Sequence, residues 1–171
     1  MDSPGVVSGT QRTRYGLNSS HATLRRRASK NLRLSYPRDV LWECIRCARC
    51  CGDTSSRERR ILLLPSEAYH ISRTTALVVE DFAEPTEGAG LYVLRMRKKD
   101  GRCVFLDGNR CSIYAIRPLV CRFYPVWLRK EGSTHTFGIT DDCPGLGKGK
   151  RLDRDYYVSL LRLAHARLNV P

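Results

Sequence analysis

The residues with the clearest chemistry are four thiols within eight positions of the chain. The segment CIRCARCC contains Cys44, Cys47, Cys50 and Cys51, so two Cys-x-x-Cys steps run in series and end in an adjacent cysteine. A Cys-x-x-Cys loop can turn both sulfurs toward one centre, and its backbone N–H groups offset the negative charge of the thiolates. This spacing is typical of a bound metal. The sequence holds four further cysteines: Cys103, Cys111, Cys121 and Cys143.

Eight cysteines could also form disulfides, because an even number permits complete pairing. Three features weigh against this interpretation. The N-terminus has no apolar segment typical of an export signal, two cysteines are adjacent, and two Cys-x-x-Cys steps share one loop. In a reducing compartment such a pattern is more often metal-binding than disulfide-bonded. We therefore predict a metal-binding protein.

The order of the cysteines favours an iron-sulfur cluster over zinc. A C-x2-C-x2-C run with a distant Cys-Pro is the ferredoxin-like arrangement around [4Fe-4S], and Cys143-Pro144 supplies that remote partner. Zinc sites more often combine two isolated Cys-x-x-Cys pairs. We expect Cys44, Cys47, Cys50 and Cys143 to bind the cluster, and zinc is the alternative metal.

The adjacent cysteine needs its own explanation. Side chains of neighbouring residues diverge, so we expect Cys50 and Cys51 to point in different directions. This leaves Cys51 with Cys103, Cys111 and Cys121 as a second four-thiolate centre. A single centre with four structural thiols is the alternative.

Arginine side chains flank one of the predicted ligands. A tetrathiolate centre carries net negative charge with either metal, and Arg117 and Arg122 stand on both sides of Cys121 in the sequence. We expect these two cations to compensate the charge of the metal centre.

The remaining polar candidates indicate no enzymatic site. We expect His135 to lie in a polar loop, where it is the best candidate for an additional ligand, and Asp141 and Asp142 to form a solvated turn before Cys143. No substrate site is recognisable. An iron-sulfur oxidoreductase, or an accessory protein of one with a redox protein as its partner, is compatible with the cysteines alone.

The charge of the chain is strongly positive and uneven. Lysine and arginine total 30 against 17 aspartate and glutamate, a net charge of +13, and residues 1–38 carry eight basic side chains and one acidic one. We expect this arm to be extended or disordered, without a core of its own. Its cations between Arg12 and Arg38 could dock on a nucleic acid or a ribonucleoprotein, although charge that only promotes solubility explains the same composition. The alternative function is thus a zinc-stapled binding module with an RNA-binding arm.

The apolar segments of the chain are all short. None approaches the ~20 residues that cross a bilayer, so we expect a cytoplasmic protein without a membrane partner. The arginine- and serine-rich, acid-poor N-terminus also has the composition of a mitochondrial transit peptide, and this alternative stays open.

Short elements must position the cysteines. We expect one domain over residues 39–171, an α+β fold of short antiparallel hairpins and two or three helices stapled by cysteine-metal centres, preceded by the basic arm 1–38. The local signals are a strand at 61–64, a helix that begins at Pro65, turns at Asp100-Gly101 and Asp107-Gly108, and a C-terminal helix within 151–171.

Apolar spacing indicates which helix faces are buried. In the first helix we expect Ala68, Ile71 and Leu77 to face the core. In the C-terminal helix the apolar residues recur at i+4 spacing and predict a second buried face: Leu152, Tyr156, Leu160, Ala164 and Leu168.

Three segments resemble a known family. CIRCARCC, GRCVFLDGNRCSIYAIRPLVCRFYP and CPG match the C-x2-C-x2-CC, C-x-F-L, C-x-I-Y-x2-R-P-x2-C-R-x-[FY]-P and CPG blocks of the YkgJ-like CxxCxxCC proteins, from about Trp42 to Gly147. The resemblance implies zinc or iron chelation, often described as an iron-sulfur function, with all eight cysteines as metal ligands. Family members commonly have glycine after the second cysteine, where this chain has Ala48.

Overall fold

The structure is a computed structural model that describes residues 33–168. No helix within this range is both long enough and apolar enough to cross a membrane. The predicted contact between the basic arm and nucleic acid falls mainly on residues 1–32, which lie outside the described residues.

The described chain consists of many short elements separated by turns. The strands are β1 (Arg33–Ser35), β2 (Leu41–Trp42), β3 (Leu62–Leu63), β4 (Ala83–Pro85), β5 (Leu94–Met96), β6 (Lys98–Lys99), β7 (Arg102–Cys103), β8 (Leu106–Asp107), β9 (Arg110–Cys111), β10 (Val126–Glu131), β11 (Thr134–Ile139) and β12 (Lys150–Arg151). The helices are α1 (Pro65–Thr75), α2 (Val79–Phe82), α3 (Leu119–Phe123) and α4 (Arg154–Leu168), and a 3₁₀ turn spans Tyr114–Ile116.

Within residues 33–168 the strands form several small sheets instead of one large sheet. The three-stranded sheets have the orders β1-β11-β10 and β3-β5-β4, and the two-stranded sheets are β2-β12, β6-β7 and β8-β9. The pairings among β2 to β12 are antiparallel. The predicted α+β fold is confirmed, although the described residues contain four α-helices instead of two or three. Helices α2 and α3 have 4 and 5 residues, too few for a helical period to show in the sequence.

A buried carboxylate connects α1 to α3. Pro65 opens α1, as predicted, and Glu67 in its first turn is only 5% exposed. Glu67 Oε2 accepts the N–H of Leu64 at 3.1 Å, and Glu67 Oε1 accepts the N–H of Leu119 at 2.7 Å. One side chain therefore satisfies backbone donors at the starts of both helices, and it fixes the position of α3, which carries Cys121.

One apolar cluster packs the helices against the cysteine-bearing hairpins. Phe82 of α2 and Phe105 between β7 and β8 have ring centroids 5.4 Å apart. Cys103 belongs to this cluster, and three more cysteines pack against it from the side. The thiols therefore lie at the edge of the core, where the packing around them is already dense. These three are Cys51, Cys111 and Cys121.

Helix α4 begins at a side-chain cap and buries an aromatic residue. Asp153 Oδ1 accepts the N–H of Tyr156 at 2.9 Å, which satisfies a free donor of the first turn. Leu160 and Ala164 are buried as predicted, but Tyr157 is the fully buried aromatic residue and Tyr156 is only half-buried. Each i+4 step advances the face by about 40° around a helix, so the buried stripe drifts away from a strict i+4 row.

The first helix ends before its last predicted core residue. Helix α1 stops at Thr75, and Ala76 takes a left-handed conformation with φ of 59°. Ala68 and Ile71 are buried as predicted, whereas Leu77 is 39% exposed because the chain has already turned away. The prediction for Leu77 is therefore wrong.

The two predicted turns of the hairpins differ in their geometry. Asp100 and Gly101 both have positive φ, 52° and 72°, as expected for an Asp-Gly turn between β6 and β7. In the second turn only Gly108 has positive φ, 54°, while Asp107 is the last residue of β8. The second turn thus begins one residue later than predicted.

The longest hairpin, β10 and β11, lies where no strand was predicted. Its register pairs Val126 with Ile139 and Glu131 with Thr134. His135 was expected in a polar loop, which is wrong, because it lies within β11 and is 6% exposed. Strand β1, which pairs with β11, falls inside the range assigned to the basic arm. Long-range pairing decides the placement of β1. The β10–β11 segment does carry a strand signal, because it is rich in β-branched and aromatic residues on both sides of Gly132, and the sequence analysis did not use that signal.

His135 is buried without a hydrogen-bond partner in the described residues. Neither Nδ1 nor Nε2 has one, and the ring packs edge-on against His165 with centroids 5.4 Å apart. Burial lowers the pKa of His135, and the nearby charges of His165 and Lys130 lower it further. The folded protein therefore holds this imidazole in its neutral form.

We predict that acidification destabilises the protein through His135. Because the pKa of His135 is lower in the folded than in the unfolded chain, the unfolded chain takes up the proton first. The free energy of unfolding should therefore fall as the pH drops below about 6.5, by at most about 1.4 kcal/mol per pH unit. Chemical denaturation between about pH 7.5 and pH 5 should show a shallower slope for His135→Phe than for the native chain. Equal slopes would contradict the prediction, and His165→Phe should retain most of the native slope.

Candidate metal centre

All eight cysteines line one cavity of about 460 Å³. Cys103 and Cys143 are buried, Cys44 is exposed, and the other five are half-buried. Among the described residues no aspartate or glutamate contributes to the cavity wall. The fold therefore brings together every cysteine that the sequence analysis identified as a candidate ligand.

The CIRCARCC segment turns through two left-handed residues. Arg46 has φ of 55° and Ala48 has φ of 60°. The N–H of Cys51 donates to the carbonyl of Ala48 at 2.9 Å and closes the turn. A left-handed conformation costs a residue with a side chain about 1 kcal/mol. Members of the family that this chain resembles commonly have glycine at the position of Ala48, and glycine avoids this cost.

The adjacent cysteines occupy the same part of the cavity. Cys50 Sγ and Cys51 Sγ are 3.6 Å apart, so the expectation that the two side chains point in different directions is wrong. Alternation of side chains belongs to extended strands, whereas this segment forms a turn. Four sulfurs that surround a zinc ion at about 2.3 Å lie about 3.8 Å from one another. The separation of this pair is close to that value.

Two hairpins bring Cys103 and Cys111 to the cavity. Cys103 ends β7, and its N–H donates to the carbonyl of Cys51 at 2.7 Å. The N–H of Asp53 donates to the carbonyl of Gly101 at 2.8 Å, so the turn before β7 is also attached to the end of the cysteine run. Cys111 ends β9, which follows directly in the next hairpin.

Cys121 lies inside the short helix α3. Pro118 precedes this helix, and its carbonyl accepts the N–H of Cys121 at 3.0 Å. The N–H of Leu119, the first residue of α3, is bound by the carboxylate of Glu67 as described above. The position of this thiol therefore depends on a contact with α1, far away in the sequence.

Cys143 reaches the cavity because its loop runs against the start of the cysteine run. The N–H of Glu43 donates to the carbonyl of Gly145 at 3.2 Å, and any Cβ at Gly145 would collide with the backbone of Glu43. The indole N–H of Trp42 donates to Cys143 Sγ at 3.4 Å. Hydrogen bonds to ligand sulfurs orient them and adjust the properties of a metal centre.

The inner thiols ionise less readily than free cysteine. The hydrogen bond with Cys51, followed by burial, raises the pKa of Cys50. Burial raises the pKa of Cys103 to about 11, and it also raises the pKa values of Cys111 and Cys121. The charge of Cys50 adds to the increase at each of these three thiols. Because metals bind thiolates, metal binding must release protons from this group.

The two arginines predicted to compensate charge have different surroundings. Arg117 lines the cavity, and its charge favours the ionised forms of Cys111 and Cys121. Arg122 does not line the cavity; its Nε and Nη2 donate to the carbonyls of Arg117 at 2.9 Å and Ala115 at 2.6 Å. Arg117 thus faces the thiols directly, whereas Arg122 holds the loop that presents Arg117.

A third cation, Arg59, was not recognised in the sequence. It is only 8% exposed, and its charge favours the ionised form of Cys50. Its Nε donates to the carbonyl of Arg49 at 3.2 Å, its Nη2 pairs with the carboxylate of Asp142, and its guanidinium carbon lies 5.2 Å from the ring centroid of Tyr124. Arg59 therefore joins the first cysteine run to the residue that precedes the last cysteine.

Asp141 and Asp142 form the predicted turn, but the side chain of Asp142 is a structural anchor. Its Oδ1 accepts hydrogen bonds from Thr140 at 2.7 Å and from Tyr124 at 3.0 Å. Burial alone would raise the pKa of Asp142, but the hydrogen bonds from Thr140, Tyr124 and Arg59 outweigh burial and lower it. Its neighbour Asp141 is exposed, so the two carboxylates do not form a catalytic pair.

The chemistry of the donor set fits zinc or iron. Thiolates are ligands that both zinc and iron-sulfur clusters use, and no carboxylate from the described residues competes with them at the cavity wall. Within residues 33–168, no three His, Cys, Asp or Glu side chains lie close enough together to surround a single ion. The eight thiols instead line one wider space.

Local sequence could indicate some of these supporting groups but not others. Trp42 stands two residues before Cys44, and this proximity in the sequence indicates that it belongs to the site. Arg59 stands between Arg57 and Arg60, and nothing in the local sequence distinguishes the buried arginine from its neighbours.

Comparison with known proteins agrees with the cysteine pattern. A model of the CxxCxxCC family, described as "Putative zinc- or iron-chelating domain", matches residues 43–144, a range that includes all eight cysteines. No solved structure matches the chain.

Two uncharacterized proteins of Methanocaldococcus jannaschii are similar to this chain. One is 33% identical over 117 residues, which cover 65% of this chain and 39% of the relative. The other is 27% identical over 134 residues, which cover 75% of this chain and 70% of the relative. The chain thus spans about two fifths of the length of the first relative. The family match covers more than half of the chain and confirms the resemblance seen in its motifs, so the protein belongs to the CxxCxxCC family of zinc- or iron-chelating domains.

Proposed function

We propose that the protein holds an iron-sulfur cluster in the cysteine cavity and takes part in electron transfer. The main support is the convergence of eight thiols on one cavity of about 460 Å³, a space larger than one four-coordinate ion needs. The C-x2-C-x2-C run and the remote Cys143-Pro144 agree with this choice. When bound, such a cluster supplies a site for one-electron transfer.

We propose that one centre takes its ligands from the thiols at the apolar core. Cys103 belongs to the core cluster, and Cys51, Cys111 and Cys121 pack against it. Cys50 lies beside this group, since its Sγ is 3.6 Å from that of Cys51, but it is not part of the packed cluster. The remaining thiols would form the second set: Cys44, Cys47, Cys50 and Cys143.

Zinc is the second candidate, because one distance favours it. Cys50 Sγ and Cys51 Sγ are 3.6 Å apart, close to the separation of about 3.8 Å expected for two thiolates on one zinc ion. With zinc the metal would staple the loops and would carry no electron, and the protein would be a binding module.

We propose that Arg59 acts on the metal centre in two ways. Its positive charge near Cys50 offsets the negative charge of the thiolates. Its contacts with Arg49 and Asp142 fix the distance between two loops that both carry candidate ligands. Loss of one partner of a buried ion pair leaves the other partner uncompensated, which costs several kcal/mol.

The metal can be identified on protein purified without oxygen. We expect iron and acid-labile sulfide, a brown colour that dithionite bleaches, and an EPR signal of the reduced form. A colourless protein with stoichiometric zinc would reject the iron-sulfur proposal and support zinc. Absence of both metals from protein expressed with each metal in excess would reject metal binding by this chain.

Replacement of Cys121 by serine should disturb the protein more than replacement of Cys44. Cys121 packs against the apolar core, whereas Cys44 is exposed. If the metal stabilises the fold, Cys121→Ser should lose its metal and its cooperative melting transition. Cys44→Ser should keep the native far-UV circular dichroism spectrum and lose only part of the metal. A normal melting curve and full metal content for Cys121→Ser would contradict the prediction.

Arg59→Gln should weaken both the fold and the retention of metal. We expect a loss of about 3 kcal/mol in the free energy of unfolding, and at least about tenfold faster release of metal to a chelator. Arg57→Gln is the matched control, because Arg57 Nη1 lies 3.6 Å from the same carboxylate of Asp142 but its side chain is 57% exposed. The Arg57→Gln control should lower the free energy of unfolding by less than about 1 kcal/mol. Equal effects of the two substitutions would show that burial of Arg59 is unimportant.

A further inference from the structure

Exposed side chains surround the mouth of the cysteine cavity. Arg46 and Arg110 are exposed, Ile45 is 38% exposed, Tyr114 is 50% exposed, and Arg117 is half-buried. All five line the cavity, and together we name them the cavity rim. The thiol of Cys44 is exposed beside them, so the metal centre would be nearest to solvent at this face.

The three arginines of the rim have no acidic partners among residues 33–168. The ion pairs of the described residues involve other arginines and a lysine. The guanidinium of Arg117 contacts Tyr114, by a hydrogen bond from Nη1 to the carbonyl at 2.8 Å and by stacking 3.9 Å from the ring centroid. The rim therefore presents three arginines without carboxylate partners in this range, and Arg46 and Arg110 are the two exposed to solvent.

The exposure of the rim favours a large ligand over a small anion. Solvent and salt screen the charges of Arg46 and Arg110, so a single small anion would gain little from them. A protein surface can contact several rim cations at once and can also cover the apolar surfaces of Ile45 and Tyr114. Charge complementarity across such a surface speeds encounter and selects the partner.

We propose that the cavity rim is the docking surface for an acidic protein that carries single electrons. The acidic character of this partner follows from the rim charge, whereas its role as an electron carrier rests on the proposed redox function. Weak complexes of this kind bury small interfaces, so a few exposed charges around the mouth of the cavity are sufficient to orient the partner.

RNA is the other polyanion that such a surface could attract. Proteins that bind single-stranded nucleic acid usually offer open aromatic faces on which bases stack. Tyr114 is the aromatic residue of the rim, and the guanidinium of Arg117 already covers one face of its ring. The rim thus offers a base less stacking surface than its charge suggests, and a protein partner is favoured.

Binding of an acidic flavodoxin, used as the probe, tests the docking surface directly. The full chain with its metal is titrated with oxidised flavodoxin at about 50 mM salt and again at about 300 mM salt. We expect Arg46→Gln/Arg110→Gln to weaken binding about tenfold at low salt and to flatten the salt dependence. Arg154→Gln/Arg162→Gln is the matched control, because it removes the same charge from exposed positions that do not line the cavity. Binding by the control should change by less than about twofold.

Three results would overturn the docking surface. Equal loss of affinity in both double variants would show attraction by net charge alone. An RNA oligonucleotide that binds more tightly than flavodoxin, competes with it and depends on Arg46 and Arg110 would make the rim an RNA-binding surface. Metal content and colour are measured on the same samples. If the protein holds zinc and binds flavodoxin through the rim, the redox function is refuted and the docking surface is retained. If it holds iron that dithionite bleaches but does not bind flavodoxin through the rim, the docking surface is refuted and the redox function is retained.

Discussion

A buried arginine, Arg59, meets the carboxylate of Asp142 at the point where two distant segments of the chain come together. The removal of a guanidinium from water is costly unless its donors are satisfied, and here Arg49 and Tyr124 supply a carbonyl and an aromatic face. Asp142 is in turn held by two hydroxyl groups. This ion pair fixes the separation of the first cysteine run and the last cysteine, and the geometry of the cavity depends on it.

Other specific contacts also hold the segments around the cavity in place. Glu67 bridges two helix starts and positions α3, while Gly145 allows two backbones to approach more closely than any other residue would. These contacts hold loops in place at the edge of the apolar cluster. A bound metal would add to the folding free energy, because its ligands come from segments far apart in the sequence.

The charges around the thiols form a consistent arrangement. Arg59 favours the thiolate form of Cys50, Arg117 favours those of Cys111 and Cys121, and no carboxylate of the described residues lies at the cavity wall. A thiolate-bound centre would therefore be partly neutralised from inside the protein. Arg46 and Arg110, the more exposed rim arginines, remain available to a partner, whereas Arg117 belongs both to the rim and to the charges that stabilise the centre.

The sequence by itself determined the cysteine pattern, the family, the α+β class, the helix that begins at Pro65 and the turn at Asp100-Gly101, because each depends on residue identity at short spacing. Only the tertiary structure decided that Cys50 and Cys51 share one part of the cavity, that His135 is buried, and that Arg59 is the inward-facing arginine. Arg59 and Asp142 are 83 positions apart. Local patterns fix local backbone geometry, whereas contacts over such distances depend on how all the loops pack together.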